Sequence, residues 1–236
     1  MGEVVTPRAW AVRKACRRVR KPSRVKRAVG MLASSSPPSL GGETRSITIF
    51  FSDVDGFSTF SEKMTPTELV ALMNEYLSAM TDIIEAHGGF VDKYIGDAVV
   101  AMFGAPIALP DHAYRACVAS LRVQQKLGEL RANWQAEGDK WPQIVGRMQS
   151  RIGLNSGHCV IGNMGSRTRF NYTMMGDNVN LAARMESGAK SWGVYSMCTE
   201  ATKQACEEHG GDRVVFRGRL DLVTELRTPL VEPGTR

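Results

Sequence analysis

The sequence predicts a mixed α/β (α+β) sandwich with a ferredoxin-like βαββαβ palm core and additional C-terminal strands. Amphipathic helical segments alternate with short apolar runs that have the length of strands. Two of these runs are separated only by Gly96 and Asp97, which is typical of a tight hairpin. A strand–helix alternation that is interrupted by hairpins favours this architecture.

Five elements are predicted in the first half of the domain. The strand candidates are rich in β-branched and aromatic residues, whereas the helix candidates repeat apolar residues at spacings of three and four. Thr65 and Pro66 suit the cap and the first turn of the first helix. The elements are a strand at 46–52, a helix at 66–87, strands at 90–95 and 98–103, and a helix at 111–134.

The second half is predicted to contain more strands than helices. A strand pair is expected around Asn155, Ser156 and Gly157, whose residue types favour a turn. Gly176 precedes a helix for which Asp177 is the expected N-cap. The elements are strands at 148–154, 158–162 and 170–175, a helix from 177 to about 187, strands at 193–199 and 213–222, and a helix between the last two.

The composition excludes several protein classes. The 236 residues are 43% hydrophobic and 23% charged, which is enough apolar content for a packed core. No apolar run approaches the ~20 residues of a membrane-spanning helix. The five cysteines are scattered and lack zinc-site spacing, which argues against a disulfide scaffold and for a reducing compartment. We therefore expect a cytoplasmic domain, with membrane association left to any region upstream of this sequence.

The net charge of +6 is unevenly distributed along the chain. Residues 1–42 contain ten Lys or Arg and one acidic residue, so the remainder is slightly acidic. A nucleic-acid-binding domain carries its basic surface on folded elements, and we therefore predict no specific nucleic-acid partner. Weak contact of the basic segment with an anionic membrane surface is the alternative. The predicted division is a basic arm at 1–30, a Ser/Pro/Gly linker at 31–43, a domain at 44–225 and a tail at 226–236.

Two carboxylates occupy positions where the predicted sheet meets solvent. Asp53 ends the first strand of the domain, and Asp97 lies in the hairpin turn. In a ferredoxin-like sheet these two ends are close, and two carboxylates repel each other unless a cation bridges them. Oxygen ligands of this kind suit Mg²⁺ or Mn²⁺. The alternative is that Asp97 only forms the turn and Asp53 caps a helix.

Three further polar residues are candidates for ligand contacts. Counting by twos places Lys93 on the strand face of Val91 and Ile95, where an unpaired ammonium is costly to bury. Lys93 either reaches the surface or points at a ligand. Asn180 and Arg184 are four residues apart and therefore share one helical face. The alternative for Arg184 is an ion pair with a nearby carboxylate.

Four blocks in this order make the chain resemble the class III nucleotidyl cyclase catalytic domain, in its bacterial adenylyl cyclase form. The resemblance covers residues 45–222. The blocks are FSDVDGFSTFSE at 51–62, DKYIGDAVVAMFGAP at 92–106, GLNSGHCVIGNMGS at 153–166 and FNYTMMGDNVNLAARME at 170–186.

The resemblance implies roles for individual residues. Asp53 and Asp97, with the backbone carbonyl of Val54, would hold two divalent cations, Mg²⁺ or Mn²⁺. The implied nucleotide contacts are the purine for Lys93 and Thr173, the ribose for Asn180, and the α-phosphate for Arg184.

The resemblance is less specific about the other phosphates. In this family a lysine within a K-G-K segment binds phosphate. The corresponding segment here reads Arg217, Gly218 and Arg219. Either arginine could take the role. Arg167 and Arg169 are further candidates for the β- and γ-phosphates.

The implied activity is conversion of ATP to cyclic AMP and pyrophosphate. A lysine donor at Lys93 and a hydroxyl acceptor at Thr173 complement adenine, because adenine offers an acceptor at N1 and a donor at its 6-amino group. The family resemblance also implies a homodimer in which Asp53 and Asp97 act from one subunit and the nucleotide-contacting residues act from the other. An upstream regulatory or sensor domain is expected as well.

Three alternatives remain at the level of sequence. The first is a catalytically silent nucleotide-binding regulatory module of the same fold. The second is another palm-type enzyme, such as a diguanylate cyclase or polymerase, although the hairpin reads IGDA and not GGDEF. The third is a nucleic-acid-binding protein that acts through the basic arm.

Overall fold

A computed structural model describes residues 8–15, 40–166, 168–209 and 214–221. These residues form one eight-stranded sheet and five α-helices. The strands are β1 Arg8–Ala15, β2 Gly41–Asp55, β3 Gly89–Ile95, β4 Ala98–Phe103, β5 Gln149–Gly165, β6 Phe170–Met175, β7 Ser196–Thr199 and β8 Val214–Asp221. The helices are α1 Phe57–Ser61, α2 Pro66–Ala86, α3 His112–Ala136, α4 Asp177–Ala189 and α5 Glu200–Glu208.

Strand pairing confirms the predicted fold class. The sheet order is β3-β4-β2-β5-β7-β1-β8, and β6 pairs with β5 outside this path. The pairs are antiparallel except for β5 with β7. The segment β2-α2-β3-β4-α3-β5 is the βαββαβ core, and its strand order brings the end of β2 next to the β3–β4 hairpin.

Helix α2 shows why the sequence folds locally as predicted. The Thr65 hydroxyl accepts a hydrogen bond from the Glu68 backbone N–H, and the Glu68 carboxylate accepts one from the Thr65 N–H. This reciprocal capping box, with Pro66 in the first turn, fixes the start of the helix. Tyr76 and Ile84 are among the residues that its apolar face buries against the sheet.

The core lies on both faces of the sheet. In β2, Phe50 and Val54 pack with α2 and α3, whereas Ile47 and Ile49 belong to a second cluster that includes Ala182 of α4. This alternation follows from the two-residue period of a strand. Asp53 is an even number of residues from Ile47 and Ile49, and it therefore lies on the same face of the sheet as they do, the α4 face.

Strand β5 differs from the prediction of two strands joined by a turn. It is continuous, and its register with β2 is unbroken from Gln149 to Asn163. The turn-forming residues serve packing instead. The Asn155 amide donates to the backbone carbonyl of Asn178, and a Cβ added at Gly157 would lie 2.6 Å from the Asn178 side chain. These residues allow α4 to approach the sheet closely.

Strand β1 corrects part of the predicted basic arm. Residues 8–15 pair with both β7 and β8, and Ala9 and Ala11 are buried. The Trp10 indole donates to the Glu200 carboxylate at 2.7 Å. Charge alone misled the prediction here, because the small apolar residues between the basic ones form the buried side of a strand. The rest of the arm, positions 31–39 of the linker and the tail lie outside the described residues.

Helix length and hydropathy bear on membrane insertion. In the part of the chain that the structure describes, no helix combines the length and the apolar character needed to cross a membrane.

Candidate active site

Asp53 and Asp97 come together at the end of β2. Asp97 follows Gly96, whose positive φ of 63° forms the hairpin turn. The Asp97 carboxylate accepts a hydrogen bond from the Val54 backbone N–H at 2.9 Å. Asp53 does not cap α1, whose N-cap is Gly56, and the Asp97 side chain reaches from the turn across to β2.

The two carboxyl groups influence each other strongly. Burial raises the pKa of Asp53, and a hydrogen bond and charge repulsion from Asp97 raise it further, to about 7. Repulsion from Glu186 adds to the rise, and the Arg151 guanidinium opposes it. The pair therefore retains a proton up to nearly neutral pH, and a cation placed between the carboxylates would displace that proton.

Arg151 organises the acidic groups behind this pair and was not predicted from the sequence. Its side chain is only 10% exposed, and it donates to Glu186 at 2.9 Å and to Asp55, and lies 3.5 Å from Asp53. One guanidinium thus contacts three carboxylates. The signal that could have found it is an arginine next to the apolar run of β5, since a buried charge needs partners.

Lys93 shares a strand face with Ile95, as predicted, but not with Val91. A register shift after Val91 pairs Lys93 with Val100, whereas Val91 pairs with Ala101. Val100 belongs to the cluster on the α4 face, and Ala101 to the cluster on the α2 and α3 face. The β-bulge therefore moves Lys93 to the α4 face, away from the side of Val91.

Lys93, Thr173 and Asp92 form a cluster between β3 and β6. The Lys93 ammonium donates to the Thr173 hydroxyl at 3.1 Å. The Thr173 hydroxyl donates to Asp92 Oδ2 at 2.7 Å, and Lys93 Nζ lies 3.4 Å from the same oxygen. The structure thus joins the two residues expected to read the purine. It adds Asp92, which sequence reasoning missed although a carboxylate between Val91 and Lys93 is unusual in an apolar strand.

Asn180 and Arg184 lie on one side of α4, and both are exposed. Among the described residues, neither side chain has a hydrogen bond or ion pair. The alternative ion pair of Arg184 is therefore not seen within these residues, and the nearby Glu186 is buried against Arg151. Helix α4 begins after Gly176 without a side-chain cap, so Asp177 lies in the first turn and is not the N-cap.

The arginines expected to bind phosphate are placed less completely. Arg217 is exposed on β8, and Arg219 pairs with Trp10 in the backbone register of β1 and β8. Strand β8 is the edge strand farthest from the β3–β4 hairpin. The Arg169 backbone pairs with Ser166, and Arg167 lies outside the described residues.

The site residues form separate groups within one chain. One group is the carboxylate pair with Arg151, and a second is Lys93 with Thr173 and Asp92. In the described ranges, no hydrogen bond or ion pair joins these two groups. No such contact joins either of them to Asn180 or Arg184.

The carboxylate pair is chemically suited to a hard divalent cation. Two carboxylates and the Val54 carbonyl are oxygen donors of the kind that Mg²⁺ and Mn²⁺ prefer. No cluster of three or more His, Cys, Asp or Glu suited to a metal ion occurs in the part of the chain described. A cation here would therefore take other ligands from backbone, water or substrate.

Sequence comparisons give a consistent family. The family model of the adenylate and guanylate cyclase catalytic domain matches residues 42–224. Adenylate cyclase 1 of Rhizobium meliloti (strain 1021) is 34% identical over 171 residues, which are 72% of this chain and 24% of that protein. Adenylate cyclase of Anabaena cylindrica is 34% identical over 176 residues, which are 73% of this chain and 33% of that protein. The chain thus spans at most a third of either relative.

Solved structures give the same result. The guanylyl cyclase Cya2 is 34% identical with a TM-score of 0.63, and the match covers 71% of this chain and 81% of that chain. The adenylyl cyclase CyaB from P. aeruginosa is 32% identical with a TM-score of 0.64, and the match covers 72% and 84%. This chain is therefore about equally similar to a guanylyl cyclase and to an adenylyl cyclase. Overall similarity does not decide between these two activities, and the choice between them has to come from the site residues.

Proposed function

Because this chain belongs to the adenylate and guanylate cyclase catalytic domain family, we propose that it converts ATP to 3′,5′-cyclic AMP and pyrophosphate. The observation that carries the proposal is the contact between the carboxyl groups of Asp53 and Asp97 at the end of β2. In this reaction the 3′-hydroxyl attacks the α-phosphorus in line while pyrophosphate leaves.

Asp53, Asp97 and the Val54 carbonyl would hold two divalent cations, Mg²⁺ or Mn²⁺. When bound, such ions lower the pKa of an attacking hydroxyl and neutralise phosphate charge. Hydrogen bonds and an ion pair hold the two carboxylates in position for such ions. Val54 N–H orients Asp97, and Arg151 holds Asp53 from behind. Both carboxylates are thereby held together at the end of β2.

Lys93 and Thr173 favour ATP over GTP. The Lys93 ammonium can donate to adenine N1, and the Thr173 hydroxyl can accept from the 6-amino group. Guanine presents the reverse pattern, with a donor at N1 and an acceptor at O6. A site built on such hydrogen bonds discriminates strongly, because the wrong base leaves polar groups unpaired.

Asn180 and Arg184 would contact the ribose and the α-phosphate. Both are exposed on α4 and have no partner among the described residues, so they are available to a ligand. Arg184 would stabilise the charge that grows on the phosphate oxygens in the transition state, which is worth a few kcal/mol, roughly, when well placed. We assign the β- and γ-phosphates to the group of Arg167, Arg169, Arg217 and Arg219.

We propose that two copies of the chain form the complete sites. Within the described residues, no hydrogen bond or ion pair joins the carboxylate pair to the nucleotide-contacting residues, and a symmetric dimer can bring the two groups together twice. Exposed apolar side chains next to the site support a partner surface. Ile95 is 56% exposed and lies two residues from both Lys93 and Asp97, and Met175 is 61% exposed and lies two residues from Thr173.

Two further proposals concern regions beyond the site. We propose an upstream regulatory or sensor domain, which is supported by the much greater length of the relatives. A weak membrane-surface contact of the basic segment before residue 31 also stays a proposal.

Product analysis tests the proposed function directly. The purified protein is incubated with ATP or GTP in the presence of Mg²⁺ or Mn²⁺, and Asp53→Asn and Asp97→Asn serve as matched variants. We expect cyclic AMP from the wild type and a loss of at least about a hundredfold in both variants. Binding of ATP with Mn²⁺ but no cyclic nucleotide would identify a catalytically silent module instead.

A further inference from the structure

We infer that Asp92 is a specificity-determining positioning residue: it accepts the hydrogen bond that the Thr173 hydroxyl donates, and it thereby fixes that hydroxyl as an acceptor toward the base. The inference rests on the proposed function, because it concerns how the same site distinguishes adenine from guanine.

The burial of Asp92 is the first step. Its side chain is only 1% exposed, although it precedes a lysine whose side chain is 43% exposed. Its Oδ1 atom is buried and has no hydrogen-bond partner among the described residues. A carboxylate in this state stabilises the fold less than an apolar side chain of similar size would. Its presence therefore points to a role in the site.

Proton counting is the second step. A threonine hydroxyl has one proton and two lone pairs, and a carboxylate has no proton to donate. Thr173 donates its proton to Asp92 Oδ2 at 2.7 Å and accepts from Lys93 at 3.1 Å. The hydroxyl then has one lone pair left, and its only proton is already engaged with Asp92. Toward a ligand it can only accept.

The third step concerns the base. An acceptor at Thr173 beside a donor at Lys93 matches the 6-amino group and N1 of adenine. Guanine places an acceptor, O6, where the 6-amino group of adenine would lie. Without Asp92, the hydroxyl could rotate and donate to O6, so that part of the discrimination would be lost. Asp92 thus acts on the base through Thr173, without touching it.

Asp92→Asn is the test variant, because it keeps the side-chain shape while its amide can also donate. We expect the ratio of kcat/KM for ATP to that for GTP to fall by about tenfold or more, the effect of one misdirected hydrogen bond. Asp82→Asn, which changes an exposed carboxylate on α2, is the matched control and is expected to leave the ratio unchanged. A ratio for Asp92→Asn that matches the wild type, or an equal loss with both nucleotides, overturns the inference.

Thr173→Val separates positioning from packing. It removes the hydroxyl, and it is expected to lower the ATP/GTP ratio by about tenfold even if Asp92→Asn does not fold. In the Thr173→Val background, Asp92→Asn should change the ratio by less than about twofold, because its route to the base is gone. Fully additive effects, or an unchanged ratio in Thr173→Val, contradict the inference.

A binding measurement distinguishes failure of this inference from failure of the proposed function. Calorimetry with 3′-deoxy-ATP and 3′-deoxy-GTP, which lack the attacking hydroxyl, gives the ratio of the two binding affinities without turnover. A wild type that makes no cyclic nucleotide overturns the proposed function only. A wild type that prefers 3′-deoxy-ATP, together with Asp92→Asn that keeps this preference, overturns the role of Asp92 only.

Discussion

Heterodimers of two inactive chains test whether each site is shared between subunits. Asp53→Ala removes one of the paired carboxylates, and Arg184→Ala removes the exposed arginine of α4. In a dimer of these two chains, one site contains both changes and the other contains neither. Differently tagged chains are coexpressed, and tandem affinity purification isolates the heterodimer.

The magnitude follows from the symmetry of a two-site dimer. One intact site of two gives about half of the wild-type activity per dimer, whereas each homodimeric variant has none. A heterodimer of Asp53→Ala with Asp97→Ala is the matched control. Both changes fall in the carboxylate pair, so each site then lacks one carboxylate and no activity is expected.

The assay is production of cyclic AMP from ATP at saturating Mn²⁺. No recovery in the heterodimer of Asp53→Ala with Arg184→Ala would show that the two groups belong to one subunit's site. Equal recovery in the control heterodimer would show that activity arises from something other than complementation. Either result refutes the shared-site reasoning.

Three further outcomes are expected. Lys93→Glu combined with Thr173→Cys should lower ATP use and raise GTP use, measured as kcat/KM; an unchanged ATP preference would contradict the base-reading roles. Arg151→Leu leaves three carboxylates without their guanidinium and should cost about 2–4 kcal/mol in thermal or urea unfolding, whereas Lys126→Met, which breaks only an exposed pair, should cost less than about 1 kcal/mol. Because the pKa of Asp53 is raised, the folded protein binds this proton more tightly than the unfolded chain does, and the free energy of unfolding of the metal-free protein should fall as pH rises from 3.8 to about 7. Added Mg²⁺ should restore stability at the upper end of this range. A free energy of unfolding that rises over this range in the wild type but not in Asp53→Asn would contradict the prediction.

The core of the fold was predictable because its helices and strands have clear periods. The apolar repeat and the Thr65 cap predicted helix α2, and Gly96 with Asp97 predicted the β3–β4 turn. Strand β5 was not predictable as one strand, because Asn155 and Gly157 have turn-forming residue types. Their purpose is contact with α4, a partner that is distant in sequence.

The candidate site was predictable to a similar extent. Residues at strand ends and turns could be paired from topology alone, as with Asp53 and Asp97. The face of Lys93 could not be predicted, because one extra residue in a β-bulge reverses the alternation. Asp92 and Arg151 were missed because their importance comes from burial and from partners on other strands and helices. Only the folded chain shows those partners.

Manganese placement tests the central assignment most directly. Crystals of the protein grown with Mn²⁺ and 3′-deoxy-ATP would show anomalous density for the metal. The account predicts Mn²⁺ bound by the carboxylates of Asp53 and Asp97, with the triphosphate against it. Metal density elsewhere, with these two carboxylates still hydrogen-bonded to each other beside a bound nucleotide, would contradict it.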